Sequence, residues 1–257
     1  CARLKSPWLL SGFAARHQEG IQGAIAQVLH AKYLTETQRV LVGLPEYCGG
    51  IACASTYAVM DAAFLGATGS VARFLAACKW PEAKAMLHGI ALRPDYQAVV
   101  ARVNGCFQAE QAWGQQHGQV AGPQGGWMNG KSSQGKVSEL CEIDPLQPQK
   151  LQTQKVYAQA MHQLVARNLG QDLEKTDPVM ASWFYSCSLP GSGAWLHASP
   201  SVSRFRVSSE VFRTMLCIRV GVAIPSAAGI KHCVHKCDYA GPSLQNGRHY
   251  FSQCNKL

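Results

Sequence analysis

A mainly α fold, a helical bundle closed by a small irregular knuckle at the C-terminus, is what this 257-residue sequence predicts. Three observations carry that expectation. Apolar residues recur at helical spacing along much of the chain, and period-two alternation is scarce. The final stretch replaces periodicity with turn formers, cysteines and histidines.

The elements follow in order. Ile21, Ile25, Val28 and Leu29 mark one face of a first helix. A second is expected over residues 36–44. The Gly-Gly turn at Gly49 and Gly50 then precedes an Ala-rich helix over residues 55–65. Shorter helices are expected over residues 70–78 and, just after Pro94, over residues 96–103. Gly, Gln and Ser crowd together from Gln115 to Lys136, where no period survives, so the chain there reads as a loop or linker.

A long helix is expected to begin near Lys150, with Tyr157, Met161, Leu164, Val165 and Asn168 on one face and Gly170 as its C-terminal cap. Another spans residues 178–186. Ser208 is placed to cap a helix over residues 209–220, with Glu210 in its first turn and Gly221 ending it. Val211, Met215 and Ile218 lie near one face of that helix, which Phe212 and Leu216 widen. The segmentation is then a helical region at 1–113, a linker at 114–146, a second helical region at 147–230 and a knuckle at 231–257.

Hydrophobic residues make up 47% of the chain and charged residues 15%, which favours a globular core over disorder. No run of about 20 apolar residues is evident, so no membrane span is expected. The opening "CARLKSPWLLSGFAAR" has no initiator Met and is too interrupted for a signal peptide, so the chain reads as a fragment or a processed product. The eleven cysteines are odd in number, and several sit in apolar stretches where Cys behaves as a small core residue. Cys48, Cys53, Cys78 and Cys217 are therefore expected as reduced core thiols in an intracellular compartment, nucleus or cytoplasm.

Charge is uneven. The formal net charge is +9, and the segment from Pro200 onward holds Arg204, Arg206, Arg213, Arg219, Lys231, Lys236, Arg248 and Lys256 against only Glu210 and Asp238. Eight minus two places +6 of the +9 in that segment, which favours an anionic partner, nucleic acid being the commonest. Within it, "HCVHKCDYAGPSLQNGRHYFSQC" carries Cys233-x3-Cys237 and His249-x4-Cys254, separated by the turn formers Gly241, Pro242, Asn246 and Gly247. Four N or S ligands in two close pairs are what tetrahedral zinc requires, and a site closed by four protein ligands is structural. His235 competes with Cys233 for the first ligand position.

Other motifs carry less. Ser192 in "PGSGAWLH" lacks the Gly-x-Ser-x-Gly of a nucleophile elbow. Glu139, Glu142 and Asp144 have no partner motif and read as a solvated connector. There is no His-Glu-x-x-His and no Asp-Asp pair.

"LPEYCGGIACASTYAVMDAAFLGA" is similar to a stretch that follows the polymerase core in non-LTR-type retrotransposon reverse transcriptases, through Leu44, Pro45, Gly49, Gly50, Ile51 and the run from Ala62 to Leu65. "GSGAWLHASPSVSRFRVSSEVFRTMLCIRVGVAIP" resembles a later stretch of the same polyproteins, through Ser192 to Leu196, Pro200, Phe212, Arg213, Arg219, Gly221 and Pro225. A Cys/His knuckle follows there, which Gly247 and His249 match. Asp238 stands where that family has Gly, and the last ligand pair has one residue too many.

The resemblance implies a thumb-like helical segment and a zinc knuckle, lying after the polymerase and before a restriction-like endonuclease. The implied partners are DNA or RNA as a template–primer duplex and the rest of the polyprotein, with no membrane. It also implies that neither active site is here: the polymerase Asp-Asp is missing, and no Glu-x-Lys follows Pro94-Asp95. The expectation is a non-catalytic nucleic-acid-binding segment with structural zinc. Its rival is a helical protein-interaction module without metal.

Overall fold

The computed structural model describes residues 7–53, 55–78, 82–117, 143–147, 153–197, 206–227 and 233. Among them are eight α-helices and no strand: α1 (Pro7–Val28), α2 (Glu36–Gly43), α3 (Thr56–Ala77), α4 (Ala83–Ala91), α5 (Pro94–His117), α6 (Gln154–Thr176), α7 (Pro178–Cys187) and α8 (Ser209–Val220). The chain forms two compact units, each discontinuous in sequence. One comprises residues 1–18 and 55–167, the other residues 19–54 and 168–257. The order-of-sequence segments expected above therefore do not coincide with the compact units.

The first unit is built on α3, α4, α5 and the first part of α6. Ala62, Leu65, Ala72 and Leu75 of α3 share a core with Leu87 of α4, with Tyr96, Val99, Val103 and Phe107 of α5, and with Tyr157 and Ala160 of α6. Phe107 and Tyr157 meet with ring centroids 6.3 Å apart. Asp61, buried on α3, accepts two bonds from Arg102 of α5 at 2.7 and 2.9 Å, a bidentate pairing that fixes the register of the two helices. The start of α3 is held by Gln18, whose Oε1 accepts from the Thr56 N–H at 2.9 Å.

α3 is longer than periodicity suggested. The helices expected at 55–65 and 70–78 are one continuous helix, because Gly66, Thr68, Gly69 and Ser70 interrupt the apolar pattern without breaking the backbone. Thr68 and Ser70 return their hydroxyls to the carbonyls of Phe64 and Gly66. Val59–Ala77 is long and apolar enough to cross a membrane by length and composition, and half of it is buried in the core of this unit. α4 was not foreseen, and α5 runs to His117, into the stretch read as linker.

The second unit packs the last part of α1 with α2, α7 and α8. Leu29, Leu34, Val42, Ile51, Leu216, Cys217 and Val220 form its centre. α2 opens with a reciprocal capping box: the Gln38 N–H donates to Thr35 Oγ1, and the Thr35 N–H donates to Gln38 Oε1. Gln38 Nε2 also donates to the Gly221 carbonyl at 3.0 Å, joining the start of α2 to the end of α8. α7 begins as expected, with Asp177 capping Met180 N–H and Pro178 at the first position. α8 has the expected Ser208 cap and ends at Gly221, which takes φ +77°.

Gly170 does not cap α6. It lies inside the helix, where an added Cβ would come within 2.7 Å of the Tyr185 hydroxyl, so glycine is there for the close approach of α7. The buried residues of α6 include Tyr157, Ala160, Ala166 and Leu173, whereas Val165 and Asn168 are exposed, which rotates the face read from sequence.

Candidate functional site

The opening of the first stretch that carried the family resemblance, residues 44–53, meets the second stretch in the second unit, and Arg219 is where they join. Its side chain leaves α8 only 4% exposed. Nε donates to the Gly50 carbonyl at 2.8 Å and Nη1 to the Ser192 carbonyl at 3.1 Å. Nη2 donates to the carbonyls of Glu46 and Cys187 at 3.0 and 3.1 Å. One guanidinium thus satisfies carbonyls from the turn after α2, the end of α7 and the loop beyond it. Burial pushes its pKa down, against the smaller opposing influence of Cys187 and Glu46.

The turn it grips is a tight one. Glu46–Cys48 is a single 3-10 turn, after which Gly49 adopts φ +83°. The chain then doubles back, and the N–H groups of Ile51, Ala52 and Cys53 donate to the carbonyls of Leu41, Leu44 and Val42. An added Cβ on Gly50 would lie 2.0 Å from the Leu44 carbonyl oxygen, so only glycine fits. The same turn carries Glu46, whose carboxylate pairs with His197 Nε2 at 2.6 Å.

Beside Arg219 is a cavity of about 240 Å³ bounded by α7, the Ala194–His197 turn and α8. Trp183 and Trp195 face it, with Met215 and Ile218 of α8. Trp183 is fixed by donating its indole N–H to the Ile218 carbonyl at 3.0 Å. Trp195 is held edge-to-face against Phe212, centroids 5.5 Å apart at 75°. The apolar face of α8 is therefore divided: Leu216 and Cys217 enter the core, while Met215 and Ile218 form the cavity wall and Val211 is 49% exposed.

The predicted nucleic-acid contacts fare unevenly. Arg219 is buried, and four of its five N–H donors go to main-chain carbonyls inside the unit, which does not suit it to grip phosphate. Arg206 is exposed and Arg213 half-buried. Arg204, Lys231, Lys236, Arg248 and Lys256 lie outside the described residues. Of the predicted zinc ligands, Cys233 is described and buried. His235, Cys237, His249 and Cys254 lie outside the described residues, as does most of the linker at 114–146. Among the described residues no three His, Cys, Asp or Glu side chains converge to hold a metal. Cys48 and Cys217 are buried thiols, as expected, and Cys53 and Cys78 are half-buried ones. Burial pushes the Cys217 thiol pKa up.

Sequence reasoning missed the cavity because its signal, Trp183 and Trp195 twelve residues apart with Arg219 beyond, has no fixed spacing. The reading from sequence is that no phosphate-binding Gly-rich loop ending in Gly-Lys-Ser/Thr occurs, and "GGWMNGKS", residues 125–132, corrects it by fitting the Gly-x4-Gly-Lys-Ser pattern. That pattern carries its chemistry between a strand and a helix. The segment lies outside the described residues, among which no strand occurs.

No family model, curated protein or solved structure matches the chain.

Proposed function

We propose that this chain is a non-catalytic, nucleic-acid-binding segment of a retroelement reverse transcriptase protein, closed at its C-terminus by a structural zinc site. The observation that carries the reading is the charge of the C-terminal segment. With Arg219 set aside as a structural residue, seven basic side chains remain there against Glu210 and Asp238. That excess is interleaved with the Cys and His residues of the proposed zinc site. Phosphate neutralisation by Lys and Arg is the general source of sequence-independent affinity for nucleic acid. The resemblance of the two stretches joined at Arg219 to a region downstream of a polymerase core supports the same reading.

Zinc would be held by Cys237, His249, Cys254 and either Cys233 or His235, and would supply folding energy rather than chemistry. Elemental analysis of protein purified without chelator is expected to give one zinc per chain. A content below about 0.2 equivalents, with none gained when Zn²⁺ is added to reduced protein, would remove the metal from the proposal. The binding function is tested by electrophoretic mobility of labelled template–primer duplex with unlabelled generic duplex as competitor. Displacement by generic duplex is expected. Binding of an acidic protein partner that generic duplex does not displace would instead favour a helical protein-interaction module.

A further inference from the structure

We propose that the cavity between α7, the Ala194–His197 turn and α8 receives one unpaired nucleobase, a proposal that rests on the nucleic-acid-binding reading above. At about 240 Å³ the cavity is smaller than the roughly 300–1,000 Å³ typical of drug-sized ligand sites, and suits a single flat ring system. Its aromatic faces are Trp183 and Trp195, the kind of surface on which bases stack whatever their sequence. Both indoles are fixed in advance, Trp183 by its bond to the Ile218 carbonyl and Trp195 by Phe212. A base would enter a formed slot.

Of the polar groups in the wall, Ser186 and Ser192 donate their hydroxyls to the carbonyls of Ser182 and Cys187, and the Arg219 guanidinium sets the chemistry. A guanidinium has five N–H donors. Four of those on Arg219 go to main-chain carbonyls, and one on Nη1 has no acceptor among the described residues. A ring carbonyl offers that donor an acceptor without bringing a charge into an apolar cavity. A phosphate would have to shed its water among Trp183, Trp195, Met215 and Ile218, and an aliphatic side chain offers that donor no acceptor. Uracil, thymine, cytosine and guanine carry a ring carbonyl, whereas adenine carries none. The cavity should therefore favour the carbonyl-bearing bases over adenine, while phosphate contacts elsewhere supply most of the affinity.

The test uses the full chain and follows indole fluorescence on titration with uridine and with adenosine, nucleosides that carry no phosphate. Uridine is expected to quench saturably in the millimolar range and adenosine to bind about tenfold more weakly, the loss of one hydrogen bond to a charged donor. Two variants check the location. Trp195→Ala removes one face, and Ser186→Phe fills the mouth from an exposed position on α7, where folding is little affected. Both are expected to abolish the uridine effect while duplex binding keeps its salt dependence, with thermal melts confirming that each variant is folded. Absence of saturable quenching, equal response to the two nucleosides, or quenching that survives both variants would overturn the proposal. Duplex binding without any nucleoside effect would defeat the base site alone. A nucleoside effect without duplex, hybrid or single-strand binding would uphold the cavity's ligand class and defeat the broader nucleic-acid reading.

Discussion

Arg219 and Gly50 set the geometry of the second unit atom by atom. The Arg219 guanidinium satisfies four main-chain carbonyls, and no lysine could do so, because an ammonium offers three donors from one point rather than a planar fork. Arg219→Met leaves those carbonyls unpaired and is expected to destabilise the unit by about 3–5 kcal/mol. Arg219→Lys should recover only part of that loss. Gly50→Ala drives a methyl into the Leu44 carbonyl and is expected to cost more than about 2 kcal/mol. Urea unfolding followed by far-UV circular dichroism measures all three. A loss below about 1 kcal/mol for Arg219→Met would mean that the four bonds do not hold the unit together. Arg219 also shows what sequence can hide: in a basic segment it reads as one more surface cation, and only its surroundings reveal a structural residue.

At the scale of elements, helix ends were legible where a cap states itself. Ser208 and Gly221 bracket α8, because capping is local chemistry that neighbours seldom override, whereas the Asp177 cap of α7 went unread. Ser208→Ala is expected to cost about 1 kcal/mol in the same unfolding assay, since it removes the bond to Val211 N–H. What sequence hid were interiors. α3 looked like two helices because small residues erased its stripe, and Gly170 looked like a cap because its close contact with Tyr185 is a tertiary fact. On α8 a stripe of apolar residues gave no sign that it serves a cavity as well as a core.

Buried ionisable groups on α5 and α6 give the first unit a pH dependence. Burial holds the His162 pKa below its ordinary 6.5, so the folded unit carries the neutral imidazole. The unfolded chain then binds a proton first as pH falls, and His162 withdraws stability from about pH 6.5 down to its folded value, below which its contribution is flat. Glu110 on α5 acts in the opposite sense. Burial outweighs its pairing with Arg167 and raises its pKa above the ordinary 4.5, so its contribution is present below 4.5 and lost as pH rises through the folded value. The urea midpoint of the wild type is expected to fall between pH 7.5 and pH 5.5 more steeply than that of His162→Gln. Equal slopes would show that the imidazole titrates alike in the folded and unfolded chain.

For the whole molecule, the central claim is that the C-terminal charge meets phosphate. The composition made the charge legible, and the structure removes Arg219 from the set that can deliver it. Phosphate contact releases condensed counterions, so log affinity for duplex falls linearly with log salt by about 0.9 per contact. The most direct test is the affinity of the full chain for a template–primer duplex, measured across a range of salt concentrations. About four engaged basic side chains predict a slope near −3 to −4, flattened by about two in Lys236→Ala/Arg248→Ala, with all sequences weakened alike. A flat salt dependence, or no binding to duplex, hybrid or single strand at about 50 mM salt, would contradict the account.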